Sequence, residues 1–348
     1  MYKCSSKKVF LIYIATHYTV NQLSFFASDT GTDKMKRIID FAKNWTLPLA
    51  IVIGSAGFSI LGYFSFLLPY FIFLMLLITF CRIPLTEIRF QAMHFWLLTL
   101  QIGGSVLAYG LVRPFDILLA EASMVCVIAP TGLAAAVITR KLGGSAASLT
   151  SFAVLSNFGT AVAAPLIFPL VHQAEEQTGF FVAFFFIVQK VFPLLLLHFF
   201  LAMFLRRFIP ALNEKLGNLQ DWGFYIWALA LMIVMAKTTK TLVYAPTGKM
   251  TAIWLGITAL AVCCIQFFVG KQLGQLFSER ITGGQALGQK NGILAVWMAD
   301  TWLNPVISIA ASAYIVWQNL FNSWQLWITG REQEKSTQAS QPGKEPPF

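Results

Sequence analysis

The residues best suited to chemistry stand together in ITGGQALGQKNGILAVWMAD, where Gln285, Gln289, Lys290 and Asn291 interrupt a small, apolar run. An ammonium carries three donors and no acceptor. With amides on either side it can donate to a carboxylate or sulfonate, or line a polar passage. In mid-span such a charge costs several kcal/mol unless it is paired, hydrated or snorkelling, so an intramembrane lysine marks a functional site by default. The competing reading starts this segment deeper and leaves Lys290 near the interface. A second group, Pro130, Thr131 and Gly132, lies inside MVCVIAPTGLAAAVITRKLGG. A third begins the stretch after it, with Ser145, Ser148, Thr150, Ser151, Ser156 and Asn157. These small polar residues suit a binding site, and equally suit close helix packing.

Other charges are less pointed. Asp300 follows Lys290 by ten residues, about 15 Å along a helix, so an interfacial position is expected rather than a pair with Lys290. Glu121 is read with the same caution. Lys190, in FFFIVQKVFPLLLL, either faces the interior or snorkels along its stem. Neither the cysteines nor the four scattered histidines have metal-ligand spacing. Nucleophile elbow, HExxH, Walker loop and paired intramembrane aspartates are all missing from the sequence. The chain is not expected to be an enzyme, to hold a metal or cofactor, or to drive transport by nucleotide hydrolysis.

These residues need a lipid-embedded frame. Hydrophobic residues make up 57% of the chain and charged ones 11%, against roughly 25% charged in a soluble domain. The apolar residues come in blocks of about 20, enough to cross a hydrocarbon core of roughly 30 Å. Backbone groups in lipid must be satisfied internally, so the blocks are expected to be helices. About ten segments emerge by this pattern, at roughly 45–63, 66–85, 93–112, 116–139, 148–171, 179–205, 221–238, 250–275, 284–299 and 302–325. The formal charge of +10 is read as topology rather than nucleic-acid binding, because the basic residues sit between segments.

Lys36, Arg37, Lys43, Arg82, Arg89, Arg140, Lys141, Arg206, Arg207, Lys215, Lys271, Arg280, Arg331 and Lys335 fall on one side. Arg113, the acidic loop HQAEEQ, Lys237, Lys240 and Lys249 fall on the other. The richer side is expected to be cytoplasmic, with both termini inside, in a bacterial inner (plasma) membrane. Residues 1–34 read as an N-terminal extension with Met35 as an alternative start, and 330–348 as a disordered tail. Between them, 35–171 and 172–329 divide the segments five and five. An odd number per half inverts the second half relative to the first, an arrangement that recurs in secondary transporters. The interruptions at Pro130 and Gly288 fall in the fourth segment of each half. Matched breaks of this kind point to a transport site.

On these residues the chain resembles the bile acid:sodium symporter family over roughly residues 35–325. The fourth segment and the stretch after it match through Pro130, Gly132, Val137, Thr139, Gly143 and Gly144; the ninth matches through Gly288, Asn291 and Gly292 to Ala295. The resemblance implies ten helices in two inverted five-helix repeats, with two crossing broken helices, a core domain and a panel domain. It implies alternating access for a small organic anion: a bile acid, a steroid sulfate or a small carboxylate. It also exposes departures. Aligned on Asn291, the family's glutamate and glutamine fall on Ala286 and Lys290, and its Ser/Asn pair on Ala135 and Ala136. Those are sodium-site positions. A divergent transporter without sodium coupling is therefore expected, with Lys290 in place of the ion and proton coupling left open. The alternatives are an ion antiporter of related fold titrating on Lys290 and Asp300, and a membrane receptor that keeps the fold without transporting.

Overall fold

The computed structural model describes residues 46–83, 85–132, 135–171, 179–244 and 248–339. Residues 1–45, the acidic loop at 172–178 and residues 340–348 lie outside them, as does the alternative start at Met35. Ala50–Phe348 form one unit. Among the described residues every regular element is helical, and the one extended pairing is an isolated bridge between Thr131 and Lys290.

Six helices are long and apolar enough to cross a membrane, so the chain is a multi-pass integral membrane protein. They are α2 (Phe58–Arg82), α3 (Ala92–Val112), α6 (Ala146–Val171), α7 (Phe180–Phe208), α9 (Gln220–Tyr244) and α10 (Lys249–Leu276). Shorter helices fill the gaps: α1 (Thr46–Ala56), α4 (Ile117–Ile128), α5 (Ala135–Lys141) and α8 (Pro210–Gly217). After α10 come α11 (Arg280–Gly288), α12 (Gly292–Trp302) and α13 (Ser308–Ala339).

Three expectations need correction. The first two segments do not part at residues 64–65. The chain turns at Gly57 instead and then runs unbroken to Arg82 through a tightened 3₁₀ stretch, Gly62–Leu67. Gly54 explains the placement of α1, because a Cβ there would strike the backbone oxygen of Met232 in α9. The tail is not disordered from residue 330, since α13 continues to Ala339. The Arg, Glu, Gln and Lys of REQEKSTQA are strong helix formers, and the first proline lies beyond them at Pro342. Finally, the ninth segment begins earlier than residue 284, at Arg280.

The breaks fall where glycine and proline weaken the helices. α4 ends at Ile128 before Pro130, whose ring would clash with the preceding turn. α11 ends at Gly288, and α12 begins after Asn291. Behind them α10 and α11 run in backbone contact: a Cβ at Gly270 would collide with the carbonyl oxygen of Gly283, and one at Gly283 with the backbone of Gly270 and Gly274. α13 packs on α10 and α12, and α3 on α4. This packing closes the two breaks into a single buried locus.

Candidate functional site

The two breaks are bonded to each other. The Gly132 N–H donates to the Gln289 carbonyl at 3.1 Å, and the Asn291 N–H donates to the Pro130 carbonyl at 2.8 Å. This short antiparallel ladder pairs Thr131 with Lys290. A broken helix leaves its last carbonyls and first N–H groups without intrahelical partners. In a membrane they must be satisfied by protein or by a water-filled cavity. Here each half supplies the other.

Side chains complete the accounting. At the end of α4, Val127 O accepts from the Lys290 ammonium at 2.9 Å, and Cys126 O from Gln266 at 3.1 Å. Ile128 O accepts from Gln101 at 2.9 Å and from Thr160 at 2.9 Å. At the end of α11, Ala286 O accepts from the Thr131 hydroxyl at 2.6 Å, and Gly288 O from the Tyr314 hydroxyl at 2.8 Å. Gln318 grips the Lys290 backbone from both sides, accepting from its N–H at 2.8 Å and donating to its carbonyl at 3.2 Å. Ser156 accepts from the Thr131 N–H at 3.1 Å and donates to Gln101 at 2.7 Å. The Asn291 side chain caps α12 by accepting from the Leu294 N–H.

The residues expected to form a site are thus brought together. Pro130, Thr131, Gly132, Gln289, Lys290 and Asn291 form the crossing, and Ser156 supports it. Gln285 lies one turn back on α11, donating to Asn322 at 3.0 Å, and Asn157 lies beside Ser156, donating to Ala153 O at 2.7 Å. The amide oxygens of Asn157, Gln285 and Gln289 are buried without a hydrogen-bond partner. Lys290 is 3% exposed, enclosed by protein on all sides. Its ammonium rests at the negative end of the α4 dipole.

Asp300 does not sit at an interface without a partner, nor does it face Lys290. It pairs with Lys237 of α9, a residue counted in the sequence with the outer-side charges. The reason is that α9 runs on to Tyr244, which keeps Lys237 inside a helix beside α12. Lys190 is exposed and rests over aromatic rings.

The residues not anticipated are Gln101, Thr160, Gln266, Tyr314, Gln318 and Asn322. Tyr314, Gln318 and Asn322 recur every four residues along α13 and so share one helix face. That stripe in an apolar frame is the signal that finds them. The alanines at family sodium positions are also placed. Ala135 and Ala286 share one apolar cluster with Met93, Leu97, Leu149, Phe152 and Leu287, and Ala136 packs against it.

Comparison of the chain with family models finds no match, and comparison with curated proteins finds none either.

Proposed function

We propose that this protein is a secondary transporter of a small organic anion, working by alternating access without sodium coupling. The observation that carries the reading is the buried Lys290 at a crossing of two broken helices. Breaks in corresponding segments that meet at membrane depth are the architecture of a transport site. α12 starts at this crossing, and its first-turn N–H groups point back towards it, favouring an anion. Protonated, Lys290 adds positive charge to the same locus. Its hydrogen bond to the Val127 carbonyl offsets part of that charge and leaves the locus positive.

The chain's resemblance to the bile acid:sodium symporter family fits this reading, with ten helices in two inverted halves and both termini cytoplasmic. α2, α3, α6, α7, α9 and α10 would supply six of the ten, α4–α5 and α11–α12 the two broken ones, and α1 and α13 the remaining two. The sodium-free assignment is supported by chemistry at the departed positions. Sodium needs several oxygen ligands, yet Ala135 and Ala286 present methyl groups inside an apolar cluster. A nearby ammonium would also repel a second cation. The antiporter reading loses its titrating pair, because Asp300 is engaged with Lys237.

The test is uptake of labelled cholate and labelled pyruvate into proteoliposomes at clamped membrane potential, with sodium or choline as the external cation. Equal uptake in both supports the proposal. Uptake that requires sodium removes the coupling claim, and no uptake of any organic anion removes the transport claim.

A further inference from the structure

At the far end of α12 from the crossing, two lysines approach from other helices. Lys237 of α9 is neutralised by Asp300. Lys190 of α7 has no acidic partner among the described residues. It lies ten residues into a helix that begins at Phe180, about 15 Å along the axis, where an uncompensated charge is costly. Its ammonium sits 4.5 Å above the centre of the Phe186 ring and 5.5 Å above that of Trp302. Those π-faces soften the cost by about 0.5–2 kcal/mol, but they carry no negative charge.

Trp302 supplies a second, independent observation. It is 8% exposed, and its indole N–H is buried with no hydrogen-bond partner. The ring is held edge-on to Phe186 at 5.5 Å and to Trp297 at 6.1 Å. An ammonium and an indole N–H are both pure donors, and they occur here on an aromatic wall. Such a set lacks an acceptor-only head joined to an apolar body.

We infer that Lys190 and Trp302 form a second anion site, which binds the carboxylate or sulfonate of an amphiphilic organic anion while Phe186 and Trp297 hold its apolar part. Its role as a station on a solute's path rests on the transport reading; the binding itself does not. An acidic lipid headgroup offers the same chemistry, and the anionic-lipid arm of the experiment separates it from a solute. The neutral pair at Lys237 and Asp300 leaves Lys190 as the cation available to the ligand.

The experiment measures binding of sub-micellar cholate, and of its uncharged methyl ester, to the full chain in phosphatidylcholine nanodiscs. Wild type, Lys190→Gln, Lys190→Arg and Trp302→Phe are compared. Cholate affinity should fall on the order of tenfold in Lys190→Gln, which corresponds to one charged hydrogen bond. Lys190→Arg should stay within about threefold of wild type, and Trp302→Phe should fall between the two. The ester should not distinguish wild type from Lys190→Gln. Cholate binding that is equal in wild type and Lys190→Gln, or absent from both, overturns the inference. Loss of ester binding in step with cholate overturns it too. Repeating the measurement with phosphatidylglycerol in the discs identifies the source: competition would assign the same site to a lipid headgroup, and its absence to a solute. Lys190-dependent binding without any uptake would sink the transport reading alone, whereas uptake with Lys190-independent binding would sink this inference alone.

Discussion

Lys290 donates its ammonium to the Val127 carbonyl at 2.9 Å, across 163 residues of sequence, and so ties the second broken helix to the end of the first. The same residue has its backbone N–H and C=O held by Gln318. Its charge and its backbone therefore serve different ends. The backbone closes the break, and the ammonium sets the electrostatics of the crossing.

Lys290→Met separates these two roles. Removing a buried charge in favour of an apolar chain of similar volume is often neutral or stabilising, although Val127 O loses a donor. Thermal unfolding in detergent should shift by no more than about 3 °C, while organic-anion uptake falls by on the order of tenfold or more. A variant that transports normally would deny the ammonium any part in the site. The double variant Ala286→Glu with Lys290→Gln restores the side chains implied by the family resemblance. Sodium should then raise its melting temperature through binding to the folded state, and should leave wild type unchanged.

Gln318 carries the opposite prediction. Gln318→Leu leaves the Lys290 N–H and C=O both buried and unpaired, at about 1–3 kcal/mol each. The melting temperature should drop by several degrees, and proteolysis near the break should accelerate. Gln318→Leu with wild-type stability would mean that the break finds other partners at no cost.

What the residues alone disclosed follows the range of the interactions. The breaks were legible because proline and glycine act on their own turn, at Pro130 and Gly288. Lys290 was legible because a charge in an apolar run is anomalous wherever it points. The partners of the breaks were harder to find. Gln101, Gln266 and Gln318 act through the rotation of three separate helices, and a single sequence leaves that rotation open. The Lys237–Asp300 pair failed for a related reason, since a segment ending at residue 238 put Lys237 at its last turn and counted it with the outer-side charges. The turn between the first two segments was misplaced because nothing polar marks it. There the backbone contact of Gly54 with α9 decides, and it is wholly tertiary.

Lys237 and Asp300 lend themselves to a double-mutant cycle. Their side chains are 22% and 20% exposed, so the pair is mostly removed from solvent. Lys237→Met or Asp300→Asn alone should each cost about 2 kcal/mol, the worth of a charged hydrogen bond plus a stranded charge. The double variant should cost less than the sum, because neither charge is left behind. Strict additivity in thermal unfolding would show that the two side chains are not coupled.

Arg206 tests how the end of α2 is held. Its guanidinium donates to Ile83 O at 2.6 Å, Phe80 O at 3.2 Å and Cys81 O at 3.3 Å, and Asn213 adds a bond to Cys81 O at 3.1 Å. A cation at a helix C-terminus gains from both the free carbonyls and the dipole. Arg206→Leu should therefore lower stability by about 2 kcal/mol, and Arg206→Lys should recover part of that through charge without the planar fork. If the lysine variant is as weak as the leucine variant, geometry alone governs the cap.

α10 and α11 approach each other backbone to backbone, and that contact positions the second break. Gly270 faces the Gly283 carbonyl, and Gly274 lies against the Glu279 carbonyl and Gly283 Cα. Gly270→Ala should cost about 1–3 kcal/mol by overpacking, because the colliding atom is backbone and cannot rotate away. Gly256, on the same helix, has nothing within reach of an added Cβ, so Gly256→Ala should be neutral or slightly stabilising through helix propensity. The two alanines give the same change in composition on the same helix. Any difference between their melting temperatures reports the α10–α11 contact itself. A shift of α11 would also move Gln289 and Lys290 off their partners at Gly132 and Val127. Gly270→Ala should therefore reduce uptake beyond its effect on the amount of folded protein, which uptake normalised to monodisperse protein would measure. Equal behaviour of the two variants would release the break from any dependence on this helix pair.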